Sequence, residues 1–288
     1  MSDTLRASLW MLGAIFSFTA MAVAGRELGA RFDTFEIMMY RSALGFLIVL
    51  VVAGAAGTLR EVGVGKWRLH LVRNMFHFTG QNLWFFAVTT VPLAQLFAFE
   101  FTTPLWVIIL SALFLGERLT PMRGLSALIG FAGILIVARP GTIELSTHLI
   151  AAAACAIFFA FTYVWTKKLT RTEGITAIMF YLTSIQLVFG LLTSGYDGDV
   201  LIPQAGDLPM LAVVALCGVL AHFSITKALG LAPAAVVAPI DFARLPIIAI
   251  VGVLLYAEAI DLWVLVGAVV IFGGNYLNIW SENRRQSA

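Results

Sequence analysis

Two carboxylates lie inside apolar runs: Glu100 in "LFAFEFTTP", residues 96–104, and Asp241 in "PIDFARLP", residues 239–246. An ionisable residue at the centre of a membrane span costs at least about 2.5–3.5 kcal/mol, so it must be paired, neutralised or wetted by a cavity. Arg244 follows Asp241 by three residues, on the same helical face, and can pair with it. That pair would either lock its helix or hold Asp241 for a ligand. Glu100 has no base within a turn of its own helix. It must reach Arg41, Arg244 or His77, or hold a proton. Either acid could bind a cationic group or carry coupling protons.

A second set is drawn by spacing. Asn74, His77, Gln81 and Trp84 recur at steps of three, four and three, a polar-aromatic stripe down one helical face. Lipid would penalise that stripe, so it should face inward. His222 and Thr226 belong to a later apolar run. The two histidines could serve as structural donors or as a proton relay. Trp84, Phe97 and Phe101 could pack on the apolar part of a substrate, with cation–π contact. Tyr163, with Phe159, Thr162 and Thr166, offers hydroxyls and ring faces. Glu36, Tyr40 and Arg41 lie near a span end, where Glu36 is expected to pair with Arg31 or Arg41.

No nucleotide-binding loop, metal-spaced His/Cys set or nucleophile elbow is present, so neither a metal nor a cofactor is expected. Cys155 and Cys217 read as small buried hydrophobes. Without a motif for nucleotide hydrolysis, any work done must draw on a gradient.

The elements that would position these residues are membrane helices. Of 288 residues, 60% are hydrophobic and only 12% charged, and mean hydropathy is +0.95. Soluble chains average about 25% charged. A net charge of +2 gives no footprint for nucleic acid. A helix needs about 20 apolar residues to cross ~30 Å of hydrocarbon. Ten such runs are expected: 7–25, 34–56, 70–90, 92–115, 122–138, 147–166, 174–195, 208–229, 232–256 and 261–280. The first resembles a signal peptide, with Ala22-Val23-Ala24 after its apolar core, but the repeat described next requires it as a span. With the N-terminus inside, thirteen Lys/Arg fall at cytoplasmic ends, Arg6, Arg60, Lys66, Arg68, Arg73, Lys167 and Arg284 among them. Only Arg26, Arg31 and Arg139 fall outside. Both termini are therefore expected in the cytoplasm, and the chain in the cell inner membrane.

Shifting the chain against itself by 141 residues aligns its halves without a gap: Phe18 meets Phe159, Tyr40 meets Tyr181, Pro92 meets Pro233, Phe101 meets Phe242, Glu117 meets Glu258 and Gly133 meets Gly274. Glu100 meets Asp241. Five spans per half would invert the second half in the bilayer, an arrangement that places a substrate site near the midplane. The expected fold is thus an all-α integral membrane protein of ten transmembrane helices in two inverted five-helix repeats, residues 1–141 and 142–288.

Residues 89–141, with Pro92, Pro104, "LFLGERLT" closing the fourth span and glycines along the fifth, resemble the EamA branch of the drug/metabolite transporter superfamily. Residues 231–275 repeat that pattern, and the similarity extends over essentially the whole chain. The resemblance implies a central cavity between the repeats, with Glu100, Asp241, His77, Trp84 and His222 around it. It also implies secondary transport of a small polar metabolite such as an amino acid, aromatic amino acids included, or S-adenosylmethionine.

The expected site is Glu100, Asp241, His77, Gln81, Trp84, Phe97, Phe101, Tyr163, His222 and Arg244, with Glu100 and Asp241 as proton-coupling candidates. The expected partners are a small amino-containing zwitterion or cation and the lipid bilayer, with monomer and homodimer both open. A membrane-embedded enzyme and a non-transporting scaffold are the competing classes. Substrate turnover without transport would favour the first, and the lack of any central polar cavity the second.

Overall fold

The computed structural model describes residues 3–116, 120–139, 146–259 and 261–286, and contains no strand among them. Its helices are α1 (Asp3–Leu28), α2 (Thr34–Ala55), α3 (Trp67–Val88), α4 (Leu93–Glu100), α5 (Thr103–Leu115), α6 (Pro121–Ala138), α7 (Thr147–Leu169), α8 (Ile175–Thr193), α9 (Leu208–Leu231), α10 (Ala234–Ile240), α11 (Arg244–Tyr256) and α12 (Leu262–Gln286). Local chemistry sets several ends. Asp33 and Glu36 form a reciprocal capping box at the start of α2, and the Ser146 side chain accepts from the Leu149 N–H at the start of α7. Gly116, at φ +70°, supplies the left-handed turn that ends α5.

Among the described residues, six segments are long and apolar enough to cross a membrane: α1, α2, α4 taken with α5, α7, α8 and α9. Shorter apolar helices cover Pro121–Ile136, Arg244–Tyr256 and Leu262–Gly274. α3 belongs to neither group, because it carries His70, Arg73, Asn74, His77, Gln81 and Asn82. The surface is inverted relative to a soluble protein. Leu47, Val51, Leu113, Leu128, Leu192, Leu254 and Val269 are each more than half exposed, while Arg41, Arg73, Glu100, Asp241 and Arg244 are buried. This is a multi-pass membrane protein.

Two expected continuous spans, 92–115 and 232–256, are broken. α4 stops at Glu100 and α5 starts at Thr103, while α10 gives way to a 3-10 turn over Asp241–Ala243 before α11. Proline explains the breaks. It has no N–H and its ring crowds the carbonyl four residues back, at Glu100 for Pro104 and at Phe242 for Pro246. The freed Glu100 carbonyl accepts instead from Thr103 Oγ1, at 2.5 Å. Both acids therefore sit at hinges rather than in mid-helix.

Packing is pairwise: α1 on α9, α3 on α7, α2 on α8, α6 on α12, α4 on α11 and α5 on α10. In lipid such pairs are held by close van der Waals contact rather than by expulsion of water. Where α6 crosses α12, a Cβ on Gly133 would come 2.6 Å from the Ile271 side chain, and one on Gly274 2.9 Å from the Ser126 carbonyl. Only glycine lets these backbones approach so closely.

Each broken span is fastened where it begins. Arg26 of α1 pairs with Glu258, whose carboxylate also accepts the Leu93 N–H at the start of α4, at 2.9 and 3.1 Å. Arg26 Nη2 reaches the Val91 carbonyl as well. Lys167 of α7 donates to the carbonyls of Leu229 and Ala232, at 2.6 and 2.9 Å, just before α10. Lys167 lies 141 residues after Arg26, and Ala232 lies 141 after Val91. Glu117, the expected counterpart of Glu258, is outside the described residues.

Candidate functional site

The two hinges meet at one cation. Arg244, the first residue of α11, donates from Nη2 to Glu100 Oε1 at 2.5 Å and to Asp241 Oδ2 at 2.6 Å. The other Glu100 oxygen accepts the Trp84 indole N–H from α3, at 2.7 Å. Glu100 thus reaches across to Arg244, one of its three expected bases. Asp241 Oδ1, though buried, has no hydrogen-bond partner among the described residues. Aromatic rings enclose the guanidinium, with its carbon 4.6 Å from the Phe97 centroid, 4.9 Å from Phe18 and 5.7 Å from Phe101. Their negative faces add cation–π attraction in a dry setting.

A cavity runs from this group along α3. Phe18, Gln81, Trp84, Glu100, Tyr163, Asp241 and Arg244 are among its lining residues, with Arg73, His77, Thr162, Thr166 and His222. About 50 Å³ of it is open to the centres of water molecules. Ligand pockets are commonly about 300–1,000 Å³, so this conformation is contracted around its centre. His77 and His222 stand edge to face at 4.4 Å, and Phe18 packs on His222 at 5.7 Å. Both His77 ring nitrogens and His222 Nε2 lack partners among the described residues.

The second group of charges is built differently. Arg41 of α2 donates to Gln81 Oε1 at 2.8 Å. Its guanidinium fills a slot left by Gly218, where a Cβ would lie 2.6 Å from Nε and from Nη2. Arg73 donates from Nε to Thr166 Oγ1 and from Nη1 to Asn74 Oδ1, both at 3.1 Å. Gln186 donates to the same Asn74 oxygen at 3.1 Å. Among the described residues neither arginine forms an ion pair. Glu36 pairs with no arginine either: it caps α2 and accepts the Leu201 N–H at 2.5 Å, while Arg31 pairs with Asp207.

Nine of the ten residues expected at the site thus line one cavity. Phe97 does not: it is fully buried and packs behind Arg244, Trp84 and Phe101. Sequence reasoning missed Phe18 and Arg73. Phe18 carried a signal, its alignment with cavity-lining Phe159 at the 141-residue shift. Arg73 had been counted with the cytoplasmic bases, yet it is 2% exposed, inside the helix bundle.

Comparison with known proteins gives consistent matches. The profile of the EamA-like transporter family matches residues 5–139 and again residues 146–280. An S-adenosylmethionine uptake transporter of Rickettsia felis is 28% identical over 100% of this chain and 98% of its own. A riboflavin transporter of Brucella anthropi is 30% identical over 92% of this chain and 95% of its own. A pseudopaline exporter of Pseudomonas aeruginosa is 27% identical over 90% of each chain. One solved crystal structure superposes with a TM-score of 0.75 over 97% of this chain and 98% of its own. At 18% identity that likeness concerns the fold alone.

Proposed function

The chain belongs to the EamA-like transporter family, and from that premise we propose that it carries a small amino-containing zwitterion or cation across the cell inner membrane by alternating access. It is a multi-pass membrane transporter of small molecules and not an enzyme. The reading rests on one observation: carboxylates at the breaks of two helices converge on a single arginine that lines a cavity. In the working cycle Glu100 and Asp241 take the substrate's positive group, or a proton, in exchange for Arg244. Trp84, Phe18 and Phe101 pack on its apolar part.

The ten-span architecture belongs to the same proposal, with inverted repeats at residues 1–141 and 142–288 and both termini cytoplasmic. Two features support it. Under the 141-residue shift the pair α1–α9 exchanges with α7–α3, and α4–α11 with α10–α5. The fastenings at Arg26 and Lys167 also occupy one repeat position.

The test is counterflow in proteoliposomes loaded with unlabelled S-adenosylmethionine, a panel of amino acids or riboflavin. Labelled S-adenosylmethionine or an amino acid should accumulate transiently, and labelled riboflavin should not. Accumulation of riboflavin alone would overturn the amino-group reading. An imposed proton gradient should change the rate where Glu100 or Asp241 carries protons, and an unchanged rate assigns facilitated exchange.

A further inference from the structure

The far end of the cavity, away from Glu100, gathers donors without acceptors. Arg73 spends Nε and Nη1 on Thr166 and Asn74, and Nη2 makes no hydrogen bond among the described residues. Thr166 accepts from Arg73 with its oxygen, so its own hydroxyl hydrogen remains to be given. His77 and His222 hold ring nitrogens with no partner among the described residues. Arg41, bound to Gln81 one helical turn beyond His77, adds a second positive charge nearby. A buried charge is tolerated when a counter-charge meets it, and leaving one unmet is strongly unfavourable. Here two guanidiniums have only neutral partners.

We infer that this end of the cavity is a carboxylate seat, in which Arg73 Nη2, the Thr166 hydroxyl and the histidine pair hold the anionic group of the substrate. The inference rests on the transport reading above and narrows it to substrates that carry both charges. The positive group that faces Glu100 and Asp241 is then one that stands several bonds away from the carboxylate that faces Arg73, such as a sulfonium or a side-chain ammonium. A single free NH2 of Arg73 flanked by one hydroxyl suits the two oxygens of a carboxylate. A phosphate would offer a third oxygen and a further charge. On α3, Arg73 and Trp84 are eleven residues apart, a rise of ~16 Å at 1.5 Å per residue. The seat therefore favours an extended molecule over a compact one.

The experiment compares matched pairs that differ only in the carboxylate. These are S-adenosylmethionine with its decarboxylated form, and lysine and arginine with their amides. Counterflow by the wild type should favour the acid by at least about tenfold, the scale of one charge-assisted hydrogen bond. Arg73→Gln should reduce that preference to near one. Equal counterflow of acid and decarboxylated form by the wild type, or a preference kept in full by Arg73→Gln, overturns the seat and leaves the transport reading standing. Should no compound move, the amino-group reading fails, and a ligand-free measurement decides the seat. Thermal unfolding of Arg73→Gln in detergent, at a midpoint equal to or above wild type, marks Arg73 as a charge kept for a ligand. A midpoint lowered by several degrees marks it as structural and overturns the inference.

Discussion

The two ends of the cavity answer the same physical problem in different ways. At the acid end, Glu100 and Asp241 share Arg244, and the Trp84 N–H and three aromatic rings complete the enclosure. Away from it, Arg73 meets an amide and a hydroxyl among the described residues, and Arg41, behind Gln81, meets an amide and the Met38 sulfur. The acid end is carried on broken helices, the basic end mainly on α3, which is continuous. A charge cluster that supplies its own counter-ion can move as a unit with its hinges. One that lacks a counter-ion is better fixed to a rigid rod, ready for a charge from outside.

The sharpest break of this comparison is Arg244→Met. It strands two carboxylates in the bundle, and loss of one partner from a buried pair costs roughly 3–5 kcal/mol. Thermal unfolding in detergent should show a large fall, largely recovered when Glu100→Gln and Asp241→Asn are added. A single variant as stable as wild type would mean that the acid end is not self-compensated. Next comes Glu100→Gln, which keeps the size of the side chain and one acceptor but turns an NH2 toward Arg244 or Trp84 and removes a charge. The fold should survive while counterflow falls by about tenfold, in line with a charge-assisted bond. An undiminished rate takes Glu100 out of the transport cycle.

Gly218→Ala tests the basic end. Its new Cβ would stand 2.6 Å from the Arg41 guanidinium, and overpacking of this kind costs about 1–3 kcal/mol. Unfolding at the wild-type temperature would show that Arg41 is free to leave its slot. The smallest effect belongs to Trp84→Phe, which keeps the ring but loses the donor to Glu100. A shift of about fivefold in apparent affinity is expected, from a bond worth about 1 kcal/mol. A loss as large as that of Glu100→Gln would promote Trp84 from support to principal contact.

The ends also differ in how legible they were. Glu100 and Asp241 stand out because carboxylates are rare in apolar runs, and a shift of 141 residues superposes them. Their helix breaks were half-visible: Pro104 and Pro246 announce local bending, but the stops at Glu100 and Asp241 depend on which carbonyl finds a new donor. The basic end was hidden for a different reason. Arg73 lies near the start of a span, where the positive-inside rule expects a base in water, and only the packing of α3 against α7 shows it turned inward to Thr166. Arg41 misled in the opposite direction. An acid five residues earlier suggested a pair, while Glu36 was already engaged by the backbone at Asp33 and Leu201.

Thr103 has one hydroxyl hydrogen and two carbonyls to offer it to, that of Glu100 at 2.5 Å and that of Ala156, on α7, at 3.3 Å. The hydroxyl of one threonine therefore serves two junctions at once, the bend within the first broken helix and the contact of that helix with α7.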